Sequence, residues 1–321
     1  MEKRIIQDNI KNVLTETNFT RLGDKKVGKV RDVYISEDKL FLIATDRQSA
    51  FDRVLASIPF KGQVLTQTSK WWFEQTKSFC PNSVLDTPDP NVVVQMNLEV
   101  MPFEVVVRGY ITGSTDTSAW TNYQKGVRDF CGNKLPEGMV KNQRFDTPII
   151  TPTTKFEAHD RNLFKNNILT ENMCSVEEWE YLSAKALELF AFGQKTASKH
   201  GLILVDTKYE FGQDKKGNIY LIDEIHTPDS SRYWLKETYQ ERIAEGKEPD
   251  NIDKEFLRLW FKDNCDPYHD EVLPEAPRDL VVELSIRYIK LSEMITGQVF
   301  SVDDKPILSR IEKNLKNNGY L

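Results

Sequence analysis

Three charged residues alternate along an apolar segment near the middle of the sequence. Asp206, Lys208 and Glu210 stand two positions apart, and a strand, whose side chains have a period of two, would place all three on one face. A turn-forming segment, DKKGN, leads into a second apolar run, residues 219–225, which carries Asp223. The sequence therefore predicts a β-hairpin on which acidic side chains meet at one end.

Glu210 and Asp223 of this hairpin have the chemistry of a metal and phosphate site. Two like charges about 4 Å apart repel by roughly 4 kcal/mol at an effective dielectric constant of 20, so a cation is needed to hold them together. Their oxygen atoms suit Mg²⁺, which commonly takes one or two carboxylates and fills its shell with water and phosphate oxygens. The alternative is a structural hairpin with one stray acid. Acids on both strands, beside Asp206 and Lys208, favour the metal site.

The composition is that of a globular protein that acts on small molecules. The chain has 321 residues, enough for two domains, with 39% hydrophobic and 29% charged residues and a net charge of −6. This charge argues against a basic surface for nucleic acid. No segment has membrane-spanning length, and residues 1–12 lack the apolar core of a signal peptide, so we expect a cytoplasmic protein.

The cysteines and histidines do not suggest a metal centre of their own. The four cysteines are widely separated and form no CxxC pair, and the four histidines show no HExxH-like spacing. We therefore expect reduced, structural thiols, and any metal should be held by oxygen atoms.

The pattern of apolar residues divides the chain into a β-rich first part and a mixed second part. In the first part we predict a hairpin, an amphipathic helix and two short strands, at residues 26–44, 62–80, 92–95 and 103–107. We place a hinge at Arg108, so that residues 1–107 form a β-rich lobe and residues 108–321 form an α+β domain.

In the second part, local signals mark helices and one long loop. Ser175 followed by Glu178 fits a capping box, and an apolar stripe continues from there. Further helices are predicted at residues 255–262 and 280–296. Residues 131–160 are rich in Pro, Gly, Asn and Thr, so we expect a loop there.

Gly28 begins a basic segment on the edge of the first hairpin. Backbone freedom at this glycine and the alternating cations Lys29 and Arg31 suit a lid over a triphosphate. The segment matches neither GxxxxGK[ST] nor GxGxxG, so an ordinary basic turn is the alternative. Taken alone, the pattern favours the ordinary turn.

Asp46 follows directly on the predicted strand at residues 40–44, a position where sites are often built. Its carboxylate could receive an amine or order the basic lid. A capped turn, with Asp46 or Ser49 as a helix N-cap, explains these residues equally well. The sequence leaves the two interpretations open.

Two other segments carry an arginine beside hydroxyl groups. Arg108 lies at a strand end near Ser114 and two glycines, where a guanidinium can take a phosphate or carboxylate through two parallel hydrogen bonds. The alternative is an interdomain salt bridge. Asp229 and Arg232 lie in TPDSSRYW, a predicted helix start that suits a phosphate pocket. A plain helix cap by Asp229 or Ser230 could coexist with binding.

Five segments, in their order along the chain, resemble the SAICAR synthetase family of purine biosynthesis. They are GKVRDVY, TDRQSAFD, EVVVRGYITGS, LVDTKYEFG and DEIHTPDSSRYW, between Gly28 and Trp234. The resemblance implies an α+β fold with a kinase-like antiparallel N-terminal lobe, an ATP-grasp-like second domain, and ATP between them. The predicted hinge lies where that cleft would be. One departure is Gln48, where an aliphatic residue is expected.

The resemblance also implies ATP and Mg²⁺ as cofactors and assigns roles to individual residues. It implies that Lys29, Arg31 and Lys155 contact the ATP phosphates and that Glu210 and Asp223 bind Mg²⁺. The ribotide would be bound by Arg108, Ser114, Asp229 and Arg232. Lys208 and Asp206 would lie at the reacting groups. Asp46 would orient the aspartate substrate.

The implied reaction joins L-aspartate to the carboxylate of carboxyaminoimidazole ribotide and cleaves ATP to ADP and phosphate. Phosphoryl transfer to that carboxylate would make an acyl phosphate, which the aspartate amine then attacks. The implied partners are these small molecules, with no nucleic acid or membrane, in a monomer or homodimer. The alternatives are a kinase-like phosphotransferase, against which the lack of HRD and DFG segments argues, and a non-catalytic nucleotide-binding regulator.

Overall fold

A computed structural model of the chain describes residues 2–51, 53–157, 159–252, 255–303 and 305–321. Asp52, which ends the TDRQSAFD segment, lies outside the described residues. The described part combines helices with antiparallel sheets, which confirms the predicted α+β class. Within it, no helix is both long and apolar enough to cross a membrane.

The helices and strands are numbered in chain order. The strands are β1 (Asp24–Val27), β2 (Arg31–Ile35), β3 (Lys39–Ala44), β4 (Arg47–Ala50), β5 (Arg53–Ser57), β6 (Val84–Asp89), β7 (Val92–Met96), β8 (Glu99–Val100), β9 (Phe103–Tyr110), β10 (Asp129–Phe130), β11 (Asn133–Lys134), β12 (Arg144–Ile150), β13 (Thr153–Thr154), β14 (Leu202–Gln213), β15 (Ile219–Ile222) and β16 (Ser231–Leu235). The helices are α1 (Lys3–Asp8), α2 (Lys61–Thr76), α3 (Ala119–Gln124), α4 (Lys165–Thr170), α5 (Val176–Lys199), α6 (Lys236–Ala244), α7 (Glu255–Asn264), α8 (Arg278–Thr296) and α9 (Ile307–Asn317). The predicted helices at residues 62–80, 255–262 and 280–296 are confirmed as α2, α7 and α8. Residues 131–160, predicted as a loop, contain the short strands β11 and β13 and the longer strand β12.

The first sheet has five strands in the order β1-β2-β3-β7-β6, each antiparallel to its neighbours. The predicted hairpin is confirmed as β2 and β3, and a hydrogen bond from Ser36 N to Lys39 O (2.9 Å) closes its turn. Alternation along these strands puts Tyr34 and Ile43 into the interior, where both are fully buried. The basic segment at Gly28 connects β1 to β2 and therefore lies at the edge of this sheet.

The second sheet has seven strands and is built around β14. Its main path is β12-β9-β14-β15, with β13 paired to β9 and with β8 and β16 paired to β14. Asp206 of β14 lies opposite Arg108 of β9 on one side and opposite Arg232 of β16 on the other. The predicted hinge at Arg108 lies inside β9, so the chain enters this sheet before that residue.

Helices α5 and α2 pack against the second sheet. In α5, Ser175 Oγ accepts a hydrogen bond from Glu178 N (3.1 Å), and Glu178 Oε2 accepts one from Ser175 N (2.7 Å), which confirms the predicted capping box. Helix α2 contributes the fully buried Trp72 to the hydrophobic core that α5 shares with β9 and β14. This core packs against one face of β14 and fixes the position of the strand.

The later helices pack against the first part of the chain. Phe261 of α7 and Tyr288 of α8 share a hydrophobic core with α2. Ile311 of α9 packs with Tyr34 of the first sheet. Residues that the predicted division assigns to 108–321 therefore complete hydrophobic cores that begin before residue 108.

Candidate active site

The predicted hairpin forms from β14 and β15. The Asp214 carboxylate accepts hydrogen bonds from Lys216 N (2.8 Å) and Asn218 N (2.9 Å), which fixes the turn between the strands. Strand β15 ends at Ile222, before its predicted end at residue 225. The reason is the backbone of Asp223, which takes a left-handed conformation with a φ of 61° and turns the chain out of the sheet.

Glu210 of β14 lies between two lysines. Lys208 Nζ is 3.0 Å from Glu210 Oε1, and Lys155 Nζ donates to Glu210 Oε2. Burial alone would raise the pKa of Glu210, but Lys208 and Lys155 hold it well below its usual range. Lys208 and Glu210 thus share a face of the sheet as predicted, and Lys155 reaches it from the segment after β13.

Glu104 belongs to the same cluster, although sequence reasoning did not single it out. Its Oε1 atom lies 2.6 Å from Lys208 Nζ, so one lysine bridges Glu104 and Glu210. The antiparallel register pairs Lys208 with Val106, which brings Glu104 beside Glu210 on the neighbouring strand. Burial raises the pKa of Glu104, and the negative charge of Glu210 raises it further. The positive charge of Lys208 offsets only part of this increase.

Arg31 connects the first sheet to this cluster. Its Nη1 atom is 3.2 Å from Asp223 Oδ1, and its Nη2 atom is 2.7 Å from Glu224 Oε2. Burial alone would lower the pKa of Arg31, but the carboxylates of Asp223 and Glu224 raise it above its ordinary value. The predicted phosphate ligand Arg31 therefore lies against the predicted metal ligand Asp223.

The cluster carries more negative than positive charge. Its acids are Glu104, Glu210, Asp223 and Glu224, and its cations are Arg31, Lys155 and Lys208. Burial raises the pKa of Asp223, and Glu210 and Glu224 add to this effect against the attraction of Arg31. Among the described residues, no group of three or more His, Cys, Asp or Glu side chains is arranged to hold a metal ion. The chemistry of the site instead suits a metal shared between two carboxylates and the phosphates of a nucleotide.

Asp206 lies between two arginines from the neighbouring strands. Arg108 Nη1 is 3.4 Å from Asp206 Oδ2, and Arg232 Nη1 donates to the same oxygen. Arg108 Nε also donates to Thr151 Oγ1 (2.7 Å), which fixes the guanidinium. Burial lowers the pKa of Arg108, and the positive charge of Arg232 lowers it further. The negative charge of Asp206 offsets only part of this decrease. The structure thus brings together two guanidinium groups that can bind a phosphate.

Ser114 follows Gly113 in the loop that approaches these arginines. A Cβ atom on Gly113 would lie 3.4 Å from Arg232 Nη2, so the loop passes close to the guanidinium. Ser114 also lines a cavity of about 310 Å³ together with Arg258 and Lys262 of α7. These two cations were missed at the level of sequence. Their spacing of four residues, which puts them on one helix face, was the available signal.

The segment TPDSSRYW forms a turn and a strand, so the predicted helix start is wrong. Residues Ser231–Leu235 pair with β14, and the next helix begins at Lys236. Neither Asp229 nor Ser230 is therefore a helix cap. The aromatic residues at the end of the segment favour a strand once a partner strand is present, whereas the turn residues before them resemble a cap.

The Asp229 carboxylate is buried between two helices. Its Oδ2 atom is 2.6 Å from Lys61 Nζ of α2, and its Oδ1 atom is 2.7 Å from Tyr288 Oη of α8. Helices α2 and α8 thus each contribute one contact. Neither helix belongs to the five segments that carry the family resemblance, and α8 follows the last of them.

Asp46 is fully buried and binds backbone groups. Its Oδ2 atom accepts a hydrogen bond from Leu14 N (2.7 Å), and its Oδ1 atom accepts one from Gly62 N (3.0 Å), in the first turn of α2. Burial raises the pKa of Asp46 to about 6, although these N–H groups oppose the shift. Residues 47–50 form a strand, so the helix that one of the two open interpretations placed after Asp46 or Ser49 is absent there. The carboxylate instead supports the start of a distant helix.

The loop from Gly28 to Val30 is held by two residues of the TDRQSAFD segment. Arg47 Nη2 is 2.8 Å from Gly28 O, and Arg47 Nε is 3.4 Å from Lys29 O. Thr45 Oγ1 is 2.6 Å from Val30 O. Thr45 and Arg47 therefore order the basic loop, and the Lys29 side chain is exposed.

Comparisons with known proteins point to one family. The family model described as SAICAR synthetase matches residues 25–275. The phosphoribosylaminoimidazole-succinocarboxamide synthase of Legionella pneumophila (strain Paris) is 57% identical over 305 residues, which cover 94% of this chain and 97% of the relative. The chloroplastic protein of the same name from Arabidopsis thaliana is 56% identical over 315 residues, which cover 96% of this chain and 77% of the relative.

Solved structures share the fold. The SAICAR synthase from Saccharomyces cerevisiae, complexed with SAICAR, superimposes with a TM-score of 0.77 at 32% identity and covers 90% of this chain and 100% of its own. A SAICAR synthetase in complex with ADP has a TM-score of 0.66 at 24% identity over 87% of this chain and 100% of its own, which supports the fold alone. These matches confirm the resemblance of the five segments, and the chain belongs to the SAICAR synthetase family.

Proposed function

We propose that the chain is an ATP-dependent ligase that joins L-aspartate to the carboxylate of carboxyaminoimidazole ribotide, giving SAICAR, ADP and phosphate. The family match, and relatives at 56% and 57% identity that carry the name of this synthase, support the reaction. One similar structure contains SAICAR, which supports a ribotide product, and the family match supports ATP as co-substrate.

One strand carries the parts of the proposed site in order. On β14, Asp206 holds the arginine pair, Lys208 comes next, and Glu210 holds the cluster of lysines and acids. Four residue steps along a strand span about 13 Å. A ribotide carries its phosphate at one end and its imidazole carboxylate at the other. Bound at the arginine pair, it would direct that carboxylate towards Lys208 and towards a nucleotide near Glu210; this order is the observation that carries the proposal.

The proposed chemistry needs no nucleophile from the protein. A carboxylate oxygen of the ribotide attacks the γ-phosphorus of ATP, the bond to the bridging oxygen breaks, and ADP leaves with that electron pair. The aspartate amine then attacks the acyl phosphate carbon, the C–N bond forms, phosphate leaves, and the amine loses a proton. Lys155 and Lys208 would place positive charge beside the transferred phosphoryl group, and the two arginines would position the ribotide.

Mg²⁺ belongs to the proposal, with Glu210 and Asp223 as its protein ligands. The excess of acids over cations in the cluster and the raised pKa of Asp223 favour one more positive charge there. When bound, Mg²⁺ would neutralise charge on the nucleotide phosphates. Lys29, on the exposed loop, and Arg31 would approach those phosphates from the first sheet. We also propose that the enzyme acts in the cytoplasm on small molecules alone, as a monomer or homodimer.

Phosphate release in the presence of ATP and Mg²⁺ tests the function. We expect release only when ribotide and L-aspartate are both present, with SAICAR formed in an equal amount by mass spectrometry. L-Alanine in place of L-aspartate serves as the control amine. ADP formation that ignores aspartate would indicate a kinase-like phosphotransferase, and a lack of turnover under all conditions would indicate a regulator. Either result would refute the proposal.

A further inference from the structure

Residues 223–232 connect the proposed metal ligands to the proposed phosphate ligands. Hydrogen bonds tie this segment to its surroundings near both ends: Arg31 Nη2 of β2 is 2.7 Å from Glu224 Oε2, and Ser231 Oγ is 2.8 Å from Thr207 Oγ1 of β14. A shift of the middle of the segment would therefore be passed to both ends, because the chain between them is short.

Asp229 anchors the middle of this segment. Lys61 Nζ donates to its Oδ2 atom (2.6 Å), and Tyr288 Oη donates to its Oδ1 atom (2.7 Å). Lys61 and Tyr288 are fully buried, and only 5% of the Asp229 side chain is exposed. A buried carboxylate that accepts from a cation on one oxygen and from a hydroxyl on the other is fixed in position, since either loss would leave a buried charge poorly satisfied.

Gln48 completes this arrangement. Its Oε1 atom is placed 3.2 Å from Tyr288 Oη. A tyrosine hydroxyl has one hydrogen, and here that hydrogen is directed to Asp229. Gln48 Oε1 is therefore the more distant of two acceptors at that hydroxyl, while Gln48 Nε2 donates to Ser49 O (3.3 Å). The glutamine at a position where the family resemblance predicts an aliphatic residue thus lies against the Tyr288 hydroxyl.

We propose that Asp229 is a positioning residue rather than a ligand of the ribotide, and that Lys61 of α2 and Tyr288 of α8 act through it. By fixing Asp229 they hold the start of β16, and with it Arg232, at the correct distance from Arg108 for a phosphate. Helix α8 thereby takes part in ribotide binding without touching the ribotide. This inference rests on the proposed function and deepens it.

Tyr288→Phe is the informative substitution. It removes the hydrogen bond to Asp229 and the longer contact with Gln48, but it leaves the ion pair with Lys61 and the packing of the ring in place. The fold should therefore persist, which thermal unfolding of the variant verifies. Tyr123→Phe is the matched control, because that buried tyrosine donates to Pro136 O (2.8 Å) in another part of the molecule.

The experiment measures KM for ribotide and KM for ATP separately in the wild type, Tyr288→Phe, Asp229→Asn, the double variant and the control. We expect Tyr288→Phe to raise KM for ribotide about tenfold, with KM for ATP and kcat within about twofold of the wild type. Asp229→Asn should raise KM for ribotide by at least as much, and the double variant should be no worse than Asp229→Asn, because both changes remove the same anchor.

Two outcomes would overturn the inference while the proposed function stands. If KM for ribotide is unchanged in Tyr288→Phe but raised in Asp229→Asn, Asp229 binds the ribotide directly. If the two effects multiply in the double variant, the residues act independently. A wild type that shows no turnover dependent on ribotide and aspartate would instead refute the proposed function, and this inference with it.

Discussion

Arg31 Nη2 lies 2.7 Å from Glu224 Oε2, and this hydrogen bond joins the first sheet to the loop that follows β15. The second arm of the same guanidinium reaches Asp223 Oδ1 at 3.2 Å. Because a guanidinium is planar and carries several donors in a fixed geometry, one side chain aligns two carboxylates at once. Arg31 therefore helps to set the mutual position of the two sheets at the proposed nucleotide site, together with Gln95 of β7, which donates to Asp223 O (3.0 Å) and accepts from Asp223 N (3.1 Å).

Replacing Arg31 by lysine tests this coupling. A lysine keeps the charge but cannot satisfy Asp223 and Glu224 together, so we expect unfolding by urea to show a loss of about 1–3 kcal/mol. We also expect KM for ATP to rise about tenfold, because the carboxylates of the site would move apart. Arg53→Lys is the control, since the half-buried Arg53 donates to the Glu271 carbonyl (3.0 Å), away from the site. Equal effects of the two substitutions would contradict the assignment.

Arg47→Lys should weaken nucleotide binding through the loop at residues 28–30. The guanidinium of Arg47 donates to Gly28 O and Lys29 O. An ammonium group cannot donate to both carbonyls with the same geometry. We expect ADP affinity, measured by calorimetry, to fall about tenfold while KM for ribotide stays unchanged. The control is Arg21→Lys, at an exposed position before β1. An unaltered ADP affinity would show that the loop position does not depend on Arg47.

Glu210→Gln should change the response to Mg²⁺. The amide removes one charged ligand of the proposed metal and also weakens the hold on Lys155 and Lys208. We expect half-maximal activity, and half-maximal binding of ADP followed by calorimetry, to require about tenfold more Mg²⁺. Glu188→Gln serves as the control, because Glu188 pairs with Lys185 on the surface of α5. The same Mg²⁺ requirement in wild type and variant would remove Glu210 from the metal shell.

His226 should make the protein sensitive to acid. It is fully buried, its Nε2 atom meets Tyr209 Oη, and its Nδ1 atom has no hydrogen-bond partner among the described residues. Burial lowers the pKa of His226 from 6.5 to about 3. Because the folded-state pKa lies below the unfolded value, the unfolded chain binds the proton first. This part of the stability is complete above pH 6.5 and is lost as the pH falls towards 3.

Between pH 7 and pH 4 we expect His226 to remove about 3 kcal/mol of stability, measured by urea unfolding at each pH. The variant His226→Gln should be less stable at pH 7 but should lose less stability over the same range. His269→Gln, at a side chain that is 83% exposed, should keep the full wild-type dependence. A wild-type profile in His226→Gln would assign the acid sensitivity to other groups.

The parts of the molecule that the sequence predicted well depend on neighbours along the chain. The capping box at Ser175 and Glu178 and the turn at Asp214 use hydrogen bonds across two to four residues. The alternation of Lys208 and Glu210 follows from strand geometry once the strand is recognised. Such signals are complete within a short segment, so they survive without knowledge of the fold.

The parts that the sequence did not predict depend on pairing between distant segments. Glu104 joins the cluster only because β9 lies beside β14, and Tyr288 reaches Asp229 only because α8 packs against α2. The strand at Ser231 was mistaken for a helix because its partner, β14, supplies the pairing. For Asp46 the sequence left two interpretations open, and neither predicted the hydrogen bonds that its carboxylate accepts from Leu14 N and Gly62 N.

Helix α9 covers the first sheet, and this arrangement has a consequence for protein synthesis. Strand β7 ends at Met96, whereas Ile311, which packs against Tyr34, follows 215 residues later. At ribosomal speeds of 5–20 residues per second, the interval is roughly 10–40 s. During that time the nascent sheet presents an uncovered apolar face, and it then depends on chaperones or on a slow rate of self-association to stay out of aggregates.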